Sequence, residues 1–183
     1  MTDPAPTVTI ETLISAEEIA ARTSALAAEI RAHGFQDNVL VVAVLKGSFV
    51  FAADLIRALH HAGVSPHVDF ISLSSYRAGT TSSGTVTVLR DLETDVAGRD
   101  VLLVDDILES GRTLAFARDL VLSSGARRAE VVVLLYKPGK RVAALDAEFV
   151  CFVCPDKFVV GYGMDMGHAF RELPFIGAVV GAD

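Results

Sequence analysis

Unbroken apolar runs, more than strict alternation, set the pattern of this chain. Val39-Leu40-Val41-Val42-Ala43-Val44-Leu45 and Val101-Leu102-Leu103-Val104 carry no polar residue, which is how a strand buried on both faces reads. Further strands are predicted over residues 68–74, 85–90, 131–136, 149–153 and 175–180. Between them the apolar period lengthens to that of a helix. Ser15, with Glu18 three residues on, is a capping box, and Ile19, Leu26 and Ile30 then recur at helical spacing until Gly34. An amphipathic stretch over residues 49–61 ends at Gly63, and a third helix is expected from Ser110-Gly111 to about Ser123, closed by Gly125. Buried strands alternating with helices indicate an α/β domain, a central and mostly parallel sheet flanked by helices. No repeat, linker or low-complexity tract interrupts the pattern, so residues 1–183 are expected to form a single domain.

Composition narrows the partners. Of 183 residues 51% are hydrophobic, and 23 acidic side chains against 16 basic ones leave a net charge of −7. Holding nucleic acid by bulk charge needs a basic face, so nucleic acid is not an expected partner. No apolar run reaches the roughly twenty residues of a membrane span. Met1-Thr2-Asp3-Pro4-Ala5-Pro6 lacks the basic and apolar segments of a secretory signal. A cytoplasmic protein without a membrane partner or disulfides is the expectation. Cys151 and Cys154 are spaced as Cys-x-x-Cys, but they fall in an apolar run with no second Cys/His pair nearby to complete a metal site. Small residues in a buried strand is the plainer reading.

Parallel sheets gather ligands at the carboxyl ends of their strands. Three such ends carry polar chemistry here: Lys46-Gly47-Ser48, Asp105-Asp106 and Lys137. The richest stretch is Asp105-Asp106-Ile107-Leu108-Glu109-Ser110-Gly111-Arg112-Thr113, two carboxylates followed by a turn that opens a helix. Free amides at a helix start, with glycine allowing close approach, suit a phosphate dianion. Ser110 and Thr113 add hydroxyl donors, and the carboxylates suit sugar hydroxyls or a hydrated Mg2+ ion. A helix cap alone would account for Ser110 but not for Asp105, Asp106 and Glu109 together. A Walker-type site would need Gly-x-x-x-x-Gly-Lys-[Ser/Thr], which the chain lacks. Residues 75–84 form a long polar, Gly/Ser/Thr-rich loop of the kind that serves as a mobile lid, with a plain hairpin as the alternative.

The stretch from Val104 through Thr113 resembles the phosphoribosyl-pyrophosphate loop of type I phosphoribosyltransferases. Three more segments resemble the 6-oxopurine branch of that family. Leu45-Lys46-Gly47-Ser48 is similar to its pyrophosphate loop and Ser75-Tyr76 to the opening of its catalytic lid. Pro155-Asp156-Lys157-Phe158-Val159-Val160-Gly161-Tyr162-Gly163-Met164-Asp165, with Phe170-Arg171, is similar to its purine-binding hood. The resemblance spans residues 39–180 and implies a Rossmann-like type I phosphoribosyltransferase fold. Its hood would be built from about residues 150–183 with help from the N-terminal residues.

The same resemblance implies roles. Asp105 and Asp106 would hold the ribose 2′ and 3′ hydroxyls, and Glu109, Ser110, Gly111, Arg112 and Thr113 would wrap the 5′-phosphate. Lys46 and Gly47 would meet the pyrophosphate, with a cis Leu45–Lys46 peptide, and Arg171 would hold the departing group. Lys137 would donate to the purine 6-oxo group, Phe158 would stack on the ring, and the Val159 backbone would contact the base edge. Asp165, with Asp105 and Asp106, would place Mg2+. Glu109 stands where the family usually has aspartate, the acid/base partner of purine N7, and Ser48 stands where many relatives have glycine. The implied activity joins hypoxanthine or guanine to phosphoribosyl pyrophosphate in a homo-oligomer. A xanthine- or adenine-preferring transferase and an RNA-binding attenuator on the same fold are the alternatives. Each residue also has a plainer reading: Lys46 and Lys137 as solvated lysines, Phe158 as core, Asp165 and Arg171 as a surface ion pair. His33, His60, His61, His67 and His168 show no ligand spacing and are given no role.

Overall fold

The structure is a computed structural model that describes residues 8–36, 38–75 and 86–180. Among the described residues the elements are β1 (Thr9–Ile14), α1 (Ala16–Ala32), β2 (Leu40–Leu45), α2 (Phe49–His61), β3 (His67–Ser75) and β4 (Val86–Arg90). They continue with β5 (Asp100–Leu108), α3 (Arg112–Ser123), β6 (Arg128–Tyr136), β7 (Phe149–Val153), β8 (Val159–Val160) and β9 (Ile176–Val180). Six strands form one sheet in the order β4-β3-β2-β5-β6-β7, and β1, β9 and β8 form a second. In the large sheet every neighbouring pair is parallel except β3 with β4.

The apolar runs are buried on both faces, as their composition requires. Leu40, Val42, Val44, Val101 and Leu103 face one core, shared with Leu114, Ala117 and Val121 of α3. Val41, Ala43, Leu102 and Val104 face the other, shared with α1 and α2. Ser15 caps α1 in the reciprocal capping box expected from its sequence, with Ile19, Thr23, Leu26, Ala27 and Ile30 buried.

The structure departs from the sequence expectation in several places. β5 does not stop at Val104 but runs through both aspartates to Leu108, because β6 continues beside it and satisfies its backbone as far as Leu108–Tyr136. The segment Phe149–Val153 pairs in parallel with β6 in the large sheet, so the hood begins after β7 rather than near residue 150. The hood sheet itself draws on strands that the apolar pattern did not mark, β1 and the two-residue β8, both antiparallel to β9. Ser75 closes β3, and Tyr76 lies outside the described residues together with the rest of the segment expected to serve as a lid.

Candidate active site

The chain leaves β2 toward β3 in one direction, while β5 leads to β6 and β7 in the other. A crevice outside the strand ends at such a switch point is the ligand site of open α/β sheets. Here β2 and β5 stay paired only as far as Ala43 and Val104, so Asp105 and Asp106 stand where β2 has peeled away. β2 ends at the Leu45–Lys46 peptide, which is cis, as the resemblance implied. Lys46 is exposed, and Ser48 is buried, donating its hydroxyl to the Val44 carbonyl at 2.5 Å. Gly47 packs so closely on Asp106 that a Cβ would overlap its carboxylate, and a Cβ on Gly163 of the hood would overlap the Gly47 carbonyl. Loop, strand end and hood thus meet at one point.

The two aspartates differ. Asp105 is buried and accepts the Asp106 N–H at 2.9 Å, while Asp106 is half-buried and accepts the Ile107 N–H at 2.8 Å. Burial, and then the neighbouring Asp106 charge, push the Asp105 carboxyl well above the usual carboxylate range.

Past β5 the chain turns through Gly111 at φ 78°, the N-cap of α3, with no side-chain cap bond. The Arg112 N–H reaches the Ser110 hydroxyl at 3.4 Å, and helix-start amides without an intrahelical partner are the elements of an anion socket. A cavity of about 200 Å³ opens there, lined by Asp105, Glu109, Ser110, Gly111 and Thr113 among others. Arg112 lines a separate surface recess with Phe116, Val142 and Ala143. The turn is braced from the loop after β6: Val142 and Ala143 donate to the Ser110 carbonyl at 2.9 and 3.0 Å.

A second cavity, of about 390 Å³, adjoins the first and shares Ile107 and Glu109 with it. Asp106, Lys137, Phe158, Val159 and Asp165 line it. Lys137 is only 8% exposed, its ammonium donating to the Lys157 carbonyl at 2.7 Å, so it is no solvated lysine. Phe158 is 57% exposed, the opposite of a core phenylalanine. Val159 is buried in the hood sheet, paired with Ala178. Asp165 and Arg171 do form an ion pair, at 2.7 Å, with Arg171 also donating to the Gly163 carbonyl at 2.6 Å and Asp165 accepting the His168 N–H at 2.7 Å. Two lining residues that sequence reasoning missed are Lys140 and Asp156. The Lys140 ammonium lies 2.6 Å from Asp156 and 3.3 Å from Glu109. Nothing in the turn Lys137-Pro138-Gly139-Lys140 marks the second lysine, because its partners are distant in sequence.

Two other features lie apart from this chemistry. A larger cavity, an apolar groove of about 880 Å³ between α1, α2 and the hood, includes Arg171 but no other predicted site residue. Burial raises both cysteine thiols, Cys151 to about 12, which disfavours the thiolate that redox or metal chemistry needs.

Among the described residues no three carboxylate, imidazole or thiol groups converge as a metal cage. Magnesium needs none, since it binds through one or two carboxylates completed by substrate oxygens and water. The Asp105–Asp106 pair fits that demand: among the described residues neither carboxylate is matched by a salt bridge. Asp165 fits it less well, with both oxygens engaged.

A mostly parallel sheet with a helix-start cavity at its switch point and a second cavity beside it is the arrangement of an α/β domain that binds a phosphorylated small molecule. The family model for the phosphoribosyl transferase domain matches residues 10–166, and the chain belongs to that family. Within it, several of the relatives are hypoxanthine-guanine phosphoribosyltransferases. The hypoxanthine-guanine phosphoribosyltransferase of Bacillus subtilis is 44% identical over 168 residues, covering 91% of each chain. That of Streptococcus agalactiae is 40% identical over 167 residues, again 91% of each. The crystal structure of a hypoxanthine-guanine phosphoribosyltransferase from Bacillus anthracis superposes with a TM-score of 0.87 at 42% identity, covering 95% of this chain and all of that one.

Proposed function

We propose that the protein transfers the 5-phosphoribosyl group of phosphoribosyl pyrophosphate to hypoxanthine or guanine, releasing pyrophosphate and giving IMP or GMP, with Mg2+ as cofactor. The observation that carries the reading is the buried Lys137 ammonium in a cavity shared with exposed Phe158, one carboxylate away from a phosphate-sized socket. A 6-oxopurine offers an acceptor to a Lys137 N–H that the Lys157 carbonyl does not use, whereas the 6-amino group of adenine offers it none. Such mismatches at buried polar groups cost a wrong substrate several orders of magnitude.

In this reading the C1′–N9 bond forms as the C1′–O bond to pyrophosphate breaks. Glu109, between the two cavities, takes the proton from N7. Asp105 and Asp106 hold the ribose hydroxyls and Mg2+, and the turn at Glu109, Ser110, Gly111 and Thr113 receives the 5′-phosphate. Lys46 and Gly47 flank the pyrophosphate. Arg171 exchanges Asp165 for pyrophosphate oxygens, a swap between charge-assisted hydrogen bonds. Magnesium held by Asp105 and Asp106 would supply positive charge that stabilises the leaving pyrophosphate. The reading includes a cytoplasmic homo-oligomer.

Product formation with phosphoribosyl pyrophosphate and Mg2+, offered hypoxanthine, guanine, xanthine and adenine separately, tests it. Turnover of the first two and little of adenine is the expected result. Xanthine turned over best would move the assignment to a xanthine enzyme. No turnover of any base despite tight binding of phosphoribosyl pyrophosphate would indicate a regulator that kept the fold and lost the chemistry.

A further inference from the structure

Glu109 has to present its carboxylate to one nitrogen of the base from a side chain with three rotatable bonds, and that side chain is 36% exposed. A proton acceptor of this kind works only if something holds it. Among the described residues its ion-pair partner is Lys140, 3.3 Å away. Lys140 is held in turn by Asp156, 2.6 Å from the same ammonium, on the hood side of the cavity. The two carboxylates, Asp156 first, keep the Lys140 ammonium above its ordinary value, so it remains charged across the working pH range.

The backbone that carries Lys140 is fixed relative to Glu109. At one end of the loop Lys137 is buried and donates its N–H to the Leu108 carbonyl at 2.9 Å. At the other end Val142 and Ala143 both bind the carbonyl of Ser110, the residue next to Glu109, and Leu145 is buried. The Arg141 Cδ packs on Gly111, where a Cβ would lie 3.2 Å from it. An exposed lysine on a free loop gains little from a carboxylate, because ordering both side chains offsets the attraction. A lysine whose loop is already pinned to the turn bearing that carboxylate pays less of this cost.

We propose that Lys140 is a positioning residue for the transfer reaction, which holds the Glu109 carboxylate at the boundary of the two cavities with Asp156 as its anchor. The proposal rests on the reading of Glu109 as the proton acceptor. The ammonium also ties the phosphate turn to the hood, so base binding and the orientation of Glu109 become linked through one side chain.

A double-mutant cycle separates this role from a purely structural one. Lys140→Met should lower kcat by about ten- to a hundredfold, the range that misplacing a catalytic group costs. The KM for phosphoribosyl pyrophosphate should stay close to wild type, and Lys140→Arg should restore most of the loss. In the Glu109→Gln background, Lys140→Met should cause no further loss of kcat. An equal loss in both backgrounds would overturn the proposal, because Lys140 would then act independently of Glu109. A loss on Glu109→Gln with none on Lys140→Met would also overturn it while leaving the proton role standing. If Glu109→Gln itself left kcat unchanged, the proton role would fall and the proposal with it.

Discussion

The cavity proposed to take the phosphate, a socket of about 200 Å³, is lined by one continuous stretch of chain between Asp105 and Leu114, whereas the slot proposed for the base, about 390 Å³, draws on four separate segments around Asp106, Lys137, Phe158 and Asp165. The socket relies on turn amides, a left-handed glycine and hydroxyls that lie within a few residues of one another. The slot relies on a buried lysine from a strand end, an exposed ring from the hood and carboxylates from two places. Recognition of a phosphate is cheap to encode locally, because every peptide carries an N–H and a helix start leaves several of them free. Recognition of a base edge needs chemically different groups on opposite walls, and only the packing of hood against sheet supplies those.

Substitutions in the two regions should therefore separate by substrate. Lys137→Met conserves volume and keeps the buried site apolar, so the fold should persist. The efficiency for hypoxanthine should fall on the order of 10²–10³-fold, the usual cost of removing one preorganised donor, with the KM for phosphoribosyl pyrophosphate little changed. Steady-state kinetics against each substrate in turn checks this, and an equal rise in both KM values would erase the distinction between the regions. Phe158→Ala should raise the KM for the base by roughly tenfold or more, given about 1–3 kcal/mol for stacking a base on an aromatic ring. It should not lower the melting temperature appreciably, since the ring is 57% exposed.

On the socket side, Gly111→Ala forces a Cβ onto a residue at φ 78°. That conformation costs roughly 1–2 kcal/mol for an L-residue, about a tenfold effect, and it should fall on phosphoribosyl pyrophosphate and spare base affinity. The smallest expected effect is thermal, at the buried carboxyl of the socket. Burial and then the Asp106 charge raise the Asp105 carboxyl, so folding takes up a proton there. Its contribution to stability is complete below the ordinary carboxylate range and is lost as pH rises through the raised folded value. Asp105→Asn should therefore raise the melting temperature by about 2 °C or more at neutral pH, lose that advantage near pH 4, and lower activity. A variant less stable at neutral pH would show that Asp105 is stabilised by contacts rather than strained by burial.

The comparison also separates what was legible in the sequence. α1 with its capping box, α2 over Phe49–His61 and the doubly buried β2 and β5 follow from spacing and apolar runs alone. So does the turn at Ser110, Gly111 and Thr113 that opens α3, because turn chemistry is decided by residues within a turn of one another. The roles proposed for Lys137 and Phe158 came from resemblance, since a lone lysine or phenylalanine carries no spacing signal. Tertiary structure decided the rest. It buried Lys137, left Phe158 exposed and paired Asp165 with Arg171. It brought β1 from the start of the chain beside β9 near its end, and it set Lys140 between Glu109 and Asp156. Exposure and long-range pairing are properties of how elements pack, and residues far apart in sequence carry no local pattern that records who their neighbours will be.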